Sequence, residues 1–421
     1  MNHLPDNFLI GASTAAHQVE GNNVHSDYWA LENIPHTSFS EPSMDAVDHY
    51  NRYEEDIKLL TDAGLNAYRF SIEWARIEPV QGQYDETEIE HYRKVLECCH
   101  RNKVTPIVTM HHFTSPAWLI AEGGWENPGT IEYFKKYCVY VVSKLGSLME
   151  YVVTINEANM GLQMAAIMKQ ILKQMGLTLQ VGMNFEPKGD QLLALQETAA
   201  ALGMKEVLPA QTFVSQRTPE GDILIMHAHE NARNAMKEVC PHLKVGISLS
   251  LYDNQWIDGG EKAAKEDWNE EFLHYLPFLR KDDFFGLQNY TRQVFGPEGI
   301  EKVSEGARLT QMAYENYPEA LEHVIRTVAK SLSIPIIVTE NGIATSDDAE
   351  RVLFIEKAME GVRNCIIDGI DVRGYCHWSL LDNFEWQKGY SMTFGLIAVD
   401  RTTQIRYPKE SLRYLGSFAN K

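Results

Sequence analysis

Short runs of apolar, β-branched and aromatic residues recur along the chain. They alternate with longer stretches whose apolar positions fall every three or four residues. The short runs are FLIGAST (8–14), NAYRFSIEW (66–74), TPIVTMHHF (105–113), YVVTINEA (151–158), LKVGISLSL (243–251), DFFGLQNY (283–290), PIIVTENG (335–342) and GYCHWSLL (374–381). Each has strand length, and between most of them lie helical patterns such as DETEIEHYRKVLECCHRN and AERVLFIEKAMEGVRNCIIDG. Strands separated by helices pair in parallel. Near-continuous apolar strands are covered on both faces. Eight such units predict an α/β fold, one closed (β/α)8 TIM barrel over residues 1–421, rather than an open doubly wound sheet. No G-x-G-x-x-G or G-x-x-x-x-G-K-[ST] loop follows a strand, so nothing points to a nucleotide.

One segment breaks the rhythm. Residues 160–226 are too long for an ordinary βα connection. MGLQMAAIMKQILKQMG reads as a helix with Met160, Met164, Met168 and Met175 spread along it, and DQLLALQETAAALGMKEV reads as a second. No linker, repeat or low-complexity tract sets them apart, so they are a Met-rich helical insertion in the single barrel. The methionines either pack in the core or line an adaptable binding surface, because the thioether chain is flexible and polarizable.

Composition adds exclusions. The chain has 421 residues, 44% of them hydrophobic, which is ample for one large core. A net charge of −20 argues against nucleic acid or an anionic membrane as partner. No apolar run is long enough for a membrane span, and MNHLPDNFLIGAST is not a secretory leader. Cys98, Cys99, Cys138, Cys240, Cys365 and Cys376 show neither C-x-x-C nor ligand spacing, which suits reduced thiols in a cytoplasmic protein.

In such a barrel the chemistry sits at the C-terminal ends of the strands. Gln18 and Glu20 follow the first strand, and Arg69 and Glu73 lie in the second. His111 and His112 end the third, and Asn156 and Glu157 the fourth. Gln288, Asn289 and Tyr290 end the sixth, and Glu340 and Asn341 the seventh. Trp378 lies in the eighth, with Asp382, Glu385 and Trp386 just past it. Amides, a His and carboxylates suit paired hydroxyls, and flat rings suit the apolar face of a pyranose. Glycoside hydrolysis needs two carboxyls flanking the scissile bond, one a protonated acid and one an ionised nucleophile. Glu157 follows a neutral Asn in an apolar run, where desolvation raises its pKa. Glu340 is the one to be held ionised, by Arg69 and Tyr290. Plainer readings stand beside these: either Glu as a structural ion-pair partner, Arg69 neutralising Glu73, Tyr290 as an ordinary core residue. Adjacent strand residues face opposite ways, so at most one of His111 and His112 faces the pocket. HAH (227–229) sits in a helical run, where residues i and i+2 do not share a face, so it is no metal motif.

These residues resemble family 1 glycoside hydrolases, the retaining β-glucosidase and β-galactosidase group. GASTAAHQVEG, YRFSIEWARIEP, HHFTSPAWL, TINEAN, IVTENG and WSLLDNFEWQKGYSMTFGL carry the likeness, which spans nearly the whole chain except about 160–226. The resemblance implies Glu340 as nucleophile, Glu157 as acid/base, and Arg69 and Tyr290 contacting the nucleophile. It implies Gln18, His112, Asn156, Glu385 and Trp386 as holders of sugar hydroxyls, with Gln288 at a further sugar-site position and Trp378 as stacking platform. It implies no cofactor and no metal. The sequence departs from the family at Ala158, where proline is usual, at Gln288 for asparagine, and at Tyr314 for tryptophan. The usual Gly/Pro-containing loop after the acid/base motif is replaced by the Met-rich stretch. The expected function is a retaining β-glycosidase acting on small β-glycosides, with glucose favoured and galactose or fucose open, as is the oligomeric state. The rivals are a 6-phospho-β-glycosidase, opposed by the charge of Glu385, and a sugar-binding protein that has lost catalysis.

Overall fold

The computed structural model describes residues 4–166 and 189–419. Eight parallel strands close into a barrel: β1 (Leu9–Ser13), β2 (Ala67–Ser71), β3 (Thr105–His111), β4 (Tyr151–Ile155), β5 (Lys244–Ser250), β6 (Phe284–Gln288), β7 (Ile336–Asn341) and β8 (Val372–Trp378). Each pairs with its neighbours in sequence, and β8 closes on β1 with Leu9 opposite Gly374 and Ser13 opposite Trp378. Every strand expected from the pattern is present.

One principal helix packs outside after each strand: α1 (His49–Asp62), α2 (Glu86–Arg101), α3 (Thr130–Leu145), α4 (Pro219–Val239), α5 (Glu261–Glu271), α6 (Ala320–Ala329), α7 (Asp348–Ile367) and α8 (Glu410–Gly416). Their starts follow capping chemistry. Asp85 accepts the N–H of Thr87 at 2.7 Å, and Asp347 that of Ala349 at 3.0 Å. Thr218 accepts from Gly221 at 3.0 Å with Pro219 in the first turn.

The second strand is shorter than its apolar run. It stops at Ser71, and Glu73 accepts the N–H of Ala75 at 3.1 Å to cap a short helix, Trp74–Ile77. Glu73 is thus a capping residue and not a strand residue, as the alternation had placed it. In the insertion, a helix begins over residues 160–166, carrying Met160 and Met164. Met168 and Met175 lie outside the described residues. The second helical pattern forms Asp190–Leu202. A three-stranded sheet of Asp253–Trp256, Arg292–Gly296 and Gly299–Ile300, which the pattern did not signal, stands beside the barrel.

The barrel interior is graded along its axis. Leu9, Ala67, Ile107, Val153, Phe284, Ile337 and Cys376 form an apolar layer of their own at the N-terminal end. Two residues further along β2 and β3 the same inward face carries Arg69 and Thr109, joined by a 3.0 Å hydrogen bond. That switch makes the C-terminal end polar. HAH lies in α4, with His227 exposed and His229 buried between Thr154 (2.7 Å) and Asp282 (3.0 Å). All six cysteines are free thiols. Among the described residues no helix is long and apolar enough to cross a membrane.

Candidate active site

Arg69 is wholly buried at the centre of the polar end. Its guanidinium donates to Glu340 Oε1, to Asn156 Oδ1 at 2.5 Å and to Thr109 Oγ1 at 3.0 Å. Its ion-pair partner is therefore Glu340, while Glu73 takes a hydrogen bond from Thr114 at 2.7 Å. Gln288 Nε2 donates to Asn156 Oδ1 at 2.7 Å and to Glu340 Oε1 at 3.0 Å. The Tyr290 hydroxyl donates to Glu340 Oε2 at 2.6 Å. A buried ion pair repays its desolvation only when its other lone pairs are also met. Both oxygens of Glu340 are met here.

Glu157 is built differently. It stands just past β4 in a left-handed conformation, φ 45°. Its N–H donates to Ser248 Oγ at 3.2 Å, and the next N–H, of Ala158, donates to Ser248 O at 3.0 Å. No cation pairs with it among the described residues. Burial raises its pKa well above the carboxylate range, the charge of Glu340 adds to that, and the Ser250 hydroxyl and the more distant Arg69 charge oppose it. Burial raises Glu340 too, but Arg69, Tyr290 and Gln288 all pull it back. Both stay raised, and of the two Glu157 holds its proton the more tightly while Glu340 ionises first.

Ala158 now has a physical reason. Proline there has no N–H for Ser248 and presses the preceding residue toward extended backbone, which φ 45° at Glu157 is not. Ala158→Pro is expected to cost roughly 2 kcal/mol or more of stability. It should also lower kcat/KM by at least about tenfold by displacing Glu157. Thermal melting and steady-state rates check this; a variant with wild-type values in both would refute it.

A cavity of about 360 Å³ opens over the strand ends, lined by His112, Glu157, Tyr290, Glu340, Trp378, Glu385 and Trp386 among others. The His112 ring lies stacked on Trp378, centroids 5.6 Å apart, and burial with the nearby Arg69 keeps it neutral. His111 turns away to Ser115 (3.0 Å) and packs between Trp125 and Phe213. Glu385 is pushed up to about 8 by burial and by the charge of Glu340, against hydrogen bonds from Gln18 and Trp378. Tyr28 meets Trp386 edge-on at 4.9 Å and fixes its plane.

Gln18, Asn156 and Gln288 are wholly buried and do not form the cavity surface. Gln18 Nε2 bonds Phe384 O (2.7 Å), Asn383 and Glu385. Asn156 Nδ2 meets His112 Nε2 at 3.3 Å. Buried polar atoms here that find no hydrogen-bond partner among the described residues include Gln18 Oε1, His112 Nδ1, Gln288 Oε1 and the Tyr314 hydroxyl. Several residues were not anticipated. Ser248 and Ser250 alternate on β5 and both touch the Glu157 region, a pattern visible in KVGISLS. Glu271, at the end of α5, accepts from Asn159 (2.8 Å) and Gln163 (2.7 Å), and nothing in the sequence marked it.

Comparison with known proteins follows this geometry. The sequence profile of glycosyl hydrolase family 1 matches residues 1–171 and 281–421. The unmatched stretch, 172–280, is longer than the Met-rich segment and includes β5. The 1,4-β-D-glucan glucohydrolase of Thermotoga neapolitana is 26% identical over 471 residues, covering 98% of this chain and 97% of that one. The 6-phospho-β-galactosidase of Staphylococcus haemolyticus is 29% identical over 482 residues, covering 100% and 99%. Among solved structures, the β-glycosidase BGL167 superposes with a TM-score of 0.89 at 45% identity, covering 99% of this chain and 97% of that one. The chain belongs to glycosyl hydrolase family 1.

Proposed function

We propose that this glycoside hydrolase is a retaining β-glycosidase that releases terminal β-linked glucose from small glycosides, with Glu340 as nucleophile and Glu157 as acid and base. The observation that carries the reading is the unequal support of two carboxyls facing one cavity. Glu340 receives Arg69, Tyr290 and Gln288, whereas Glu157 has no ion-pair partner among the described residues and feels Arg69 only as a charge behind Glu340. In the first step Glu340 attacks the anomeric carbon, the glycosidic bond breaks, and the Glu157 proton goes to the leaving oxygen. The glycosyl ester removes the charge of Glu340. The repulsion that helped hold the Glu157 proton is then gone, so Glu157 is left ionised. It takes a proton from water, water attacks the anomeric carbon, and Glu340 departs as carboxylate.

The partnerless His112 Nδ1, on a residue of the cavity wall, suits a hydroxylated ligand, since a buried polar atom left unpaired is costly. Trp378 supplies the flat apolar face. A 6-phospho sugar is less well served. Among the described residues no Lys or Arg lines the cavity, and Glu385 offers a dianion at best a neutral carboxyl. Rates on p-nitrophenyl β-glucoside, β-galactoside, β-fucoside and β-glucoside 6-phosphate, with the first-formed product anomer followed by NMR, test the proposal. Turnover of the unphosphorylated glucoside with the β-anomer appearing first is expected. Inversion, or turnover of the phosphorylated sugar alone, would overturn it.

A further inference from the structure

We infer that the leaving-group end of the cavity is built for an apolar alcohol, an aryl or alkyl aglycone, rather than for a second sugar. The inference rests on the β-glycosidase reading above, and deepens it. Glu157 gives its proton to the leaving oxygen, so the surface next to Glu157 is what the leaving group meets. Three residues after Glu157 stands Met160, and one helical turn later Met164. Spaced i, i+4, they share one helix face, and both line the cavity. Phe113 and Val214 extend the same lining with a phenyl ring and an isopropyl group.

A glucose leaving group would present three or four hydroxyls needing partners. Among the described residues most polar side chains at this end are already committed, the partnerless Tyr314 hydroxyl being the exception. Both N–H bonds of Gln163 are used, on Ser250 O at 2.8 Å and Glu271 Oε2 at 2.7 Å. The Ser250 hydroxyl serves Glu157. Thr291 donates to Glu315 O at 2.7 Å, and the Tyr252 hydroxyl is paired with Gln293. Among the described residues the only charged side chains on the cavity wall are Glu157, Glu340 and Glu385, and all three belong to the sugar chemistry. Among the described residues, what remains for the leaving group is thioether, isopropyl and aromatic surface with the single Tyr314 hydroxyl. Such surface gains from burying CH2 groups and leaves sugar hydroxyls unpaired. The Met pair also suits aglycones of varied shape, because methionine repacks at little cost.

The test compares kcat/KM for octyl β-glucoside below its micellar range, methyl β-glucoside, cellobiose and β-glucosyl fluoride. The fluoride has no aglycone to bind. Octyl is expected to exceed methyl on the order of 100-fold, and to exceed cellobiose as well, although a sugar is the better leaving group than an alkanol. Met164→Lys should reduce the octyl-to-methyl ratio at least about tenfold. Val214→Thr reads the same ratio if that variant fails to fold. A ratio near one, cellobiose outrunning the octyl glucoside, or a ratio unmoved in the folded variants would overturn the inference. With fluoride still turned over, those outcomes leave the glycosidase reading intact. No turnover of the fluoride would sink that reading, and this one with it.

Discussion

Glu340→Ala is expected to lower kcat/KM on an aryl β-glucoside on the order of 10⁴–10⁶-fold, the scale on which removal of a covalent nucleophile is felt. The reason is specific to this geometry. Arg69, Tyr290 and Gln288 converge on one carboxylate, and no other carboxyl takes their place when it is removed. Alanine also strands the wholly buried Arg69 charge, so part of the loss could be mistaken for misfolding. Glu340→Gln separates the two effects. Its amide oxygen still accepts from Arg69 and its shape is unchanged, yet it does not form the glycosyl ester. A folded glutamine variant with the same loss places the defect in the chemistry. Azide gives a second readout. In the alanine variant the space below the anomeric carbon is open, and azide entering there displaces the aglycone with a single inversion, giving the α-glycosyl azide. A Glu340→Ala enzyme within about tenfold of the wild-type rate would end the assignment.

Much of the site is legible in the chain, and the reasons are physical. The eight apolar runs are strands because each is too short for a buried helix and too apolar for a loop. Arg69 in the midst of AYRFS stood out because a charge in such a run must meet a partner. The sequence left two candidates for it, and only the barrel register shows Glu340 and not Glu73. Glu73 was misplaced because period-two alternation does not reveal where a strand yields to a capped turn. Gln18, Asn156 and Gln288 were recognisable as polar strand ends. That their donors bond neighbouring residues, behind the cavity surface, depends on cross-strand packing that spacing does not encode. Glu271 gave no signal at all. It lies at the end of α5, 112 residues in sequence from Asn159, and such a contact is a product of closure alone. Ala158 was readable as a departure from the family, but its meaning depends on a backbone φ and an N–H direction.

Glu157→Ala is expected to discriminate between leaving groups. An alkyl β-glucoside needs a proton on its departing oxygen, and losing the donor should cost on the order of 10²–10⁴-fold in kcat/KM. A 2,4-dinitrophenyl β-glucoside departs unaided, so its glycosylation step should fall far less. Its second step still lacks a base, so the glycosyl-enzyme accumulates and a burst of one dinitrophenolate per enzyme precedes a slow steady state. Azide attacks that α-linked intermediate without needing a base. It restores turnover and yields the β-glycosyl azide, the opposite anomer from the one expected of Glu340→Ala. The pH profile carries the same information. Glu157 acts while protonated, so wild-type kcat/KM falls as pH rises through its raised pKa, and Glu340 acts while ionised, so kcat/KM falls as pH drops through its own. With alanine at 157 the alkaline fall should disappear and the acid fall should remain. Equal losses on good and poor leaving groups, with both limbs of the profile intact, would show that Glu157 shapes the pocket without moving a proton.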